Sequence, residues 1–155
     1  MARVGLVYAS ITLGNPRHPE LQRLAIHTGA MHLCIPEHVS FQLRLQQVED
    51  REVTTADGSK RLCPYVGPIE VRFGERTCFT GALVLGDEVL LGAVPMEDMD
   101  LVVCPSRRTV TVNPDSPNIP SSTVKQLRNA SVVGRRQVFR PEPRIQTQSL
   151  EIRLG

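Results

Sequence analysis

Tryptophan is absent from the 155 residues, and two tyrosines and four phenylalanines are the only aromatic side chains. Base-stacking or sugar-stacking platforms need more aromatic surface than that. Charge of one sign is not in excess either: 18 basic and 16 acidic residues leave a formal net charge of +2. That balance argues against a dedicated nucleic-acid binder. No apolar run approaches the ~18 residues that a membrane helix requires. The first eight residues, Met1-Ala2-Arg3-Val4-Gly5-Leu6-Val7-Tyr8, are too short and mixed a stretch for a signal peptide. Close cysteine pairs are missing too. Cys34, Cys63, Cys78 and Cys104 are separated by 29, 15 and 26 residues, unlike a zinc knuckle or a CxxC pair. With apolar neighbours on most of them, they are expected to be free, buried or half-buried thiols in a cytoplasmic chain.

The hydrophobic fraction of 41% is enough for a real core, and the length suits one domain of ordinary size. The composition is uneven along the chain. Residues 1–113 carry 11 basic and 13 acidic side chains, whereas residues 114–155 carry 7 basic and 3 acidic ones. Five of the twelve prolines also fall after residue 113. Residues 1–113 are therefore read as the folded domain and 114–155 as a Pro/Ser/Arg-rich, mostly disordered tail. The alternating end Leu150-Glu151-Ile152-Arg153-Leu154 is the one stretch there that could add an edge strand.

Within the domain, short strands rich in Val, Ile and Thr alternate with Gly and Pro turns. Strands are expected over 4–13, 52–56, 60–66, 69–73, 78–85 and 89–92, with a closing hairpin from 100–103 and 108–112. Asp57-Gly58 is a hairpin-turn signal. Gly67-Pro68 is expected to interrupt the return strand. Pro36 opens a short helix over 36–43, and a brief helix is expected over 95–99. Core candidates include Ile11, Leu33, Ile35, Ile69, Val71, Leu83, Leu91, Leu101, Val103 and Val110. No βαβ rhythm is present, which excludes a doubly wound nucleotide fold. The fold class is all-β with one or two short helices.

Three segments, in this order, resemble the retropepsin-like (clan AA) aspartic proteases, in particular their small bacterial members. The first is Ala25-Ile26-His27-Thr28-Gly29-Ala30 followed by Leu33-Cys34-Ile35-Pro36. The second is Thr55-Ala56-Asp57-Gly58-Ser59, similar to the family's flap hairpin. The third is Leu90-Leu91-Gly92-Ala93-Val94-Pro95-Met96-Glu97-Asp98-Met99 and the strand that leads out of it. The resemblance spans about residues 4–113. It implies a closed β-barrel of the acid-protease type, a homodimer in which each chain supplies half a site, a flap that closes over an extended peptide, and no cofactor. Carried over by position, His27, Thr28 and Gly29 fall at the catalytic loop. Ala30, Ala56, Asp57, Gly58 and Gly92 fall where the family binds peptide.

One position departs from the family. The family's catalytic Asp is His27 here. In the family two carboxylates share a proton, one acting as base on water while the other polarises the scissile carbonyl. Two imidazoles cannot reproduce that pair. Both are neutral at neutral pH, and at lower pH the two cations repel. The segment between the proline turn and His27 also looks short, which predicts a small deletion beside the site and a shifted strand register. Asp57 is explained by its turn, and Asp98 and Asp100 by helix-end charge or surface solvation. Paired His27 and His32 would give four nitrogens across a dimer axis, zinc's number, but their spacing crosses a turn and no metal is expected. The implied function is an aspartic-type endopeptidase homologue with little or no hydrolysis. The alternatives are a non-catalytic peptide-binding or dimerisation module, or a decayed family member. Extended peptide and a second copy of the chain are the expected partners, with no nucleic acid and no membrane.

Overall fold

The computed structural model describes residues 7–124 and, over 26–30, the backbone. The expectations for Leu6, for disorder over 125–155 and for an edge strand at Leu150 to Leu154 lie outside the described residues. The chain divides into two units, Met1–Thr123 and Val124–Gly155, and the first contains all the elements below. Among the described residues no helix is long and apolar enough to cross a membrane.

The described residues are mostly β. Strands β1 (Ala9–Asn15) and β2 (His18–Ala30) form an antiparallel hairpin. Then come β3 (Cys34–Ile35), helix α1 (Glu37–Gln42), β4 (Gln46–Thr54), β5 (Lys60–Phe73), β6 (Arg76–Val84) and β7 (Leu90–Gly92). Helix α2 (Ala93–Asp98) and the β8 (Leu101–Cys104)–β9 (Thr109–Val112) pair complete the order. Pro36 starts α1 as its spacing predicts. Its φ is −64°, and its carbonyl accepts from the Val39 amide at 3.1 Å.

The short segment expected before His27 is corrected. β2 is thirteen residues long, and its residues from Gln22 to His27 each face a β1 partner, from Gly14 to Ala9. The period of two is present but disguised. Arg23 sits on the same side as half-buried Leu21 and buried Ala25, with its guanidinium bonded to Gln42, while Leu24 is exposed. A register shift does occur, between Gly14 and Asn15, at the turn end of the hairpin rather than beside the site.

The strands form a seven-stranded sheet in the order β1-β2-β7-β3-β6-β5-β4, with β8 and β9 as a separate two-stranded sheet. The expected closed barrel is also corrected. β1 returns to β5 through three residues only, Thr12, Leu13 and Gly14 opposite Arg72, Val71 and Glu70. β4 remains a free edge beyond β5, and β3 and β7 have only two and three residues. The sheet meets itself at one corner and does not close into a barrel. Charged side chains Glu49, Asp50, Arg51 and Glu52 along β4 discourage pairing with a foreign strand.

Gly67-Pro68 does not end a strand. β5 runs through it with an irregularity between Val66 and Ile69, opposite Ala82 and Thr80 of β6. The core gathers Ile11, Leu13, Leu33, Ile35, Ile69, Val71 and Leu91, with Val39 and Leu43 from α1 and Met99 after α2. Val103, expected in the core, is exposed, although it lies opposite buried Val110 and on the same face as buried Leu101.

Candidate functional site

The first and third sequence segments meet in the fold. At the end of β2, Thr28, Gly29 and Ala30 pair in parallel with Leu90, Leu91 and Gly92 of β7. His27 is one residue before this pairing and opposite Ala9 of β1. The chain turns after Ala30, and the Met31 carbonyl accepts from the Val94 amide at 3.1 Å, tying the start of α2 to that turn. Gly92 is required by the closeness of this crossing. A Cβ there would lie 2.2 Å from the Met31 carbonyl oxygen and 2.5 Å from the His32 carbonyl carbon. Met31 and Val94 expose apolar side chains beside this crossing, and Leu24 does so farther back along β2, opposite Thr12.

Ala56, Asp57 and Gly58 are exposed at the tip of the β4–β5 hairpin. Thr55 and Ser59 close the loop, the Thr55 amide donating to the Ser59 carbonyl at 2.9 Å. Gly58 has a φ of +81°, the left-handed conformation that glycine adopts without strain. The Asp57 carboxylate accepts from the Thr55 hydroxyl, from the Ser59 hydroxyl at 2.7 Å and from the Ser59 amide at 3.0 Å. The Thr55 hydroxyl first, then the Ser59 groups, hold its carboxyl down at about 2. Asp57 thus fastens its own turn.

Sequence reading missed what joins this hairpin to β7. Buried Cys34, Cys63 and Leu83 form a small apolar cluster with Val53, Tyr65, Leu85 and Leu90. It connects the base of the hairpin to β7, which pairs with Thr28 to Ala30, and to β3 on the far side of β7. Cys63 and Tyr65 alternate along β5, and that period was the available signal. The Tyr65 ring lies against Gly81, where a Cβ would be 2.1 Å from Cζ, and the Arg51 guanidinium stacks 3.5 Å from the ring centroid. Burial, then the neighbouring Cys63, push the Cys34 thiol upward, so it is protonated at neutral pH.

All four cysteines are free thiols, three of them buried. Among the described residues no three His, Cys, Asp or Glu side chains gather as a metal site would require. Asp87 and Glu88 are exposed between β6 and β7. Asp100 is not the solvated surface charge that its position suggested. Its carboxylate accepts from the Asn113 side-chain amide at 2.9 Å, the Ser121 amide at 2.9 Å and the Ser116 hydroxyl. These bonds pin the irregular stretch 114–121, just beyond the expected boundary at 113, within the unit Met1–Thr123. No protein-family model and no curated protein sequence matches the chain.

Proposed function

We propose that the chain is a half-site of the retropepsin-like aspartic-protease type that pairs with a second copy, holds an extended peptide and hydrolyses it poorly or not at all. One observation carries this reading. The Thr28-Gly29-Ala30 strand end lies parallel to Leu90-Leu91-Gly92, with the base of the Asp57-Gly58 hairpin packed against Leu90 of the second strand through Cys34, Cys63 and Leu83. In the family such a pairing holds the catalytic loop rigid, and the hairpin acts as a flap that covers the peptide. Exposed Leu24, Met31 and Val94 supply an apolar rim for a second subunit.

The chemistry follows from His27. In a two-fold dimer the site would present two imidazoles in place of two carboxylates. A neutral imidazole can accept a proton from water, but its equally neutral partner is not the acid that polarises the scissile carbonyl, so the opposed acid and base of the family's pair are missing. Backbone hydrogen bonds to an extended peptide do not depend on that residue, so binding outlasts catalysis. Four free thiols and a cytoplasmic location belong to the same reading.

Sedimentation equilibrium of the full chain, combined with incubation of a mixed peptide library between about pH 4 and 7, tests it. A concentration-dependent dimer with peptide retention and negligible cleavage is expected. A chain that stays monomeric at every concentration overturns the half-site reading. Turnover that disappears in His27→Ala overturns the loss of chemistry.

A further inference from the structure

Past β9 the chain runs over 114–123 without helix or strand. Ser116 is half-buried there and every other residue is exposed, Ile119 to 75%. None of these side chains belongs to the core, so apolar burial does not hold the segment down. Pro114, Pro117 and Pro120 fix a backbone angle at every third residue and keep the segment stiff.

Hydrogen bonds hold it instead, and they converge. Among the described residues, those that tie 114–123 to the body of the fold go to two side chains. Asp100 accepts from the Ser116 hydroxyl, from the Ser121 amide at 2.9 Å and from the Ser121 hydroxyl at 3.1 Å. Arg76 donates to the Ser116 carbonyl. Where the segment leaves β9, the Asn113 amide donates to the Asp100 carbonyl at 3.0 Å and fixes its root.

The far end of the segment covers part of β6. Arg76 and Cys78 lie on one side of that strand, both buried. Residues 121–123 form one wall of a cavity of about 660 Å³, opposite Cys78 and Thr80 of β6 and Val94 and Pro95 of α2. A volume of that order suits a small organic guest. Burial, then Asp98, pushes the Cys78 thiol up to about 12, so it is unreactive while covered.

We propose that 114–123 is a strap, rooted at Asn113 and latched by Asp100, that swings off the folded domain as a unit and turns the cavity into an open groove along β6 and α2. The latch is polar throughout and the strap contributes nothing to the core, so its release costs far less than unfolding the sheet. The strap opens in this way whether or not two chains pair.

Two readouts on the folded full chain test it. Deuterium exchange of the Ser121 amide, followed by NMR, is expected to be at least ~tenfold faster than that of the Val71 amide in β5, and insensitive to urea below the unfolding transition. N-ethylmaleimide labelling, read at each cysteine by peptide mass spectrometry, is expected to be at least ~tenfold faster at Cys78 than at Cys63, although the two are 2% and 3% exposed. Asp100→Asn is expected to raise the ratio of Cys78 to Cys63 labelling by a further ~tenfold, and the ratio cancels any general loss of stability. If that variant does not fold, Ser116→Ala with Ser121→Ala, two changes in the strap itself, is expected to move the ratio in the same direction. Labelling of Cys78 no faster than Cys63, a Ser121 amide that exchanges only with global unfolding, or a ratio that a folded variant leaves unchanged overturns the strap.

Discussion

Arg76 and Asp100 lie 3.8 Å apart with side chains only 3% and 12% exposed, one at the start of β6 and the other in the corner between α2 and β8. At that separation hydrogen bonds outweigh the direct ion pair. Arg76 donates through Nη1 to the Met99 carbonyl at 3.1 Å and through Nη2 to the Ser116 carbonyl. Asp100 takes a left-handed conformation, φ +52°, which aims its carboxylate at Asn113, Ser116 and Ser121. The two residues join β6, the end of α2 and the stretch past Asn113.

Replacing Arg76 by Met removes a buried cation and leaves two carbonyls without their donor. The expected loss is about 3 kcal/mol, the scale for breaking one side of a buried charged pair. Urea unfolding of R76M against the parent chain measures it, and a loss below about 1 kcal/mol would show that the arginine only fills space.

Acid sensitivity follows from Asp100. The Ser116 hydroxyl first, then the Ser121 amide and Asn113, hold its carboxyl well below the ordinary carboxylate range. A carboxyl lowered in the folded state adds stability that is present above its unfolded value near ~4 and is lost as pH falls. Asp57, at about 2, acts in the same direction. Stability of the parent chain is expected to fall steeply below ~pH 4. D100N is expected to be less stable at neutral pH and flatter across that range. Denaturant midpoints at a series of pH values check this, and parallel curves for the two proteins contradict it.

Two glycines separate a crowding effect from a backbone effect. Alanine at Gly92 meets the Met31 and His32 backbone at 2.2–2.5 Å, which cannot yield without parting β2 from β7. Alanine at Gly58 meets nothing within 4 Å and suffers only from the positive φ. G92A is expected to lose ~2–3 kcal/mol and G58A about 1 kcal/mol. The reverse order in thermal or urea unfolding would mean that the crossing at Gly92 is looser than described.

Gly81 and Tyr65 should couple. Alanine at Gly81 collides with the Tyr65 ring, and removing the ring relieves the collision. G81A alone is therefore expected to be destabilising, and much less so in a Y65A background. A double-mutant cycle with coupling above ~1 kcal/mol supports the contact, and additive effects contradict it.

Much of the strand order could be read from the residues. The Asp57-Gly58 turn, the helix begun at Pro36 and the strand before Gly92 all stand on local chemistry: positive φ, fixed φ and β-branched or leucine-rich runs. β2 was harder, because Arg23 shares a side with buried Ala25 while its guanidinium reaches out to exposed Gln42, and Leu24 faces outward, which blurs the usual assignment of polar and apolar sides. β5 survives Gly67-Pro68 because a ladder irregularity absorbs the lost donor. Arg76 and Asp100 were illegible for another reason. Their partners lie 23 residues away at Met99 and 13 to 21 residues away at Asn113 and Ser121, distances over which a sequence has no short-range signal. Of the site, the family resemblance placed His27, Thr28 and Gly29 at a catalytic loop and Gly92 at a peptide-binding position, but the meeting of Thr28-Gly29-Ala30 with Leu90-Leu91-Gly92 was visible only in the sheet order. The Cys34–Cys63–Leu83 anchor needed the sheet order to be seen.

Hydrolysis by His27→Asp tests the half-site reading most directly. Aspartate at position 27 restores to each subunit the carboxyl that a shared-proton pair requires. Purified H27D, incubated with a mixed peptide library between about pH 4 and 6, is expected to cleave peptides that the parent chain and H27N leave intact, and to lose that activity when diluted below its dimerisation range. A folded, dimeric H27D that cleaves nothing would contradict the assignment of this β2–β7 crossing to an aspartic-protease half-site.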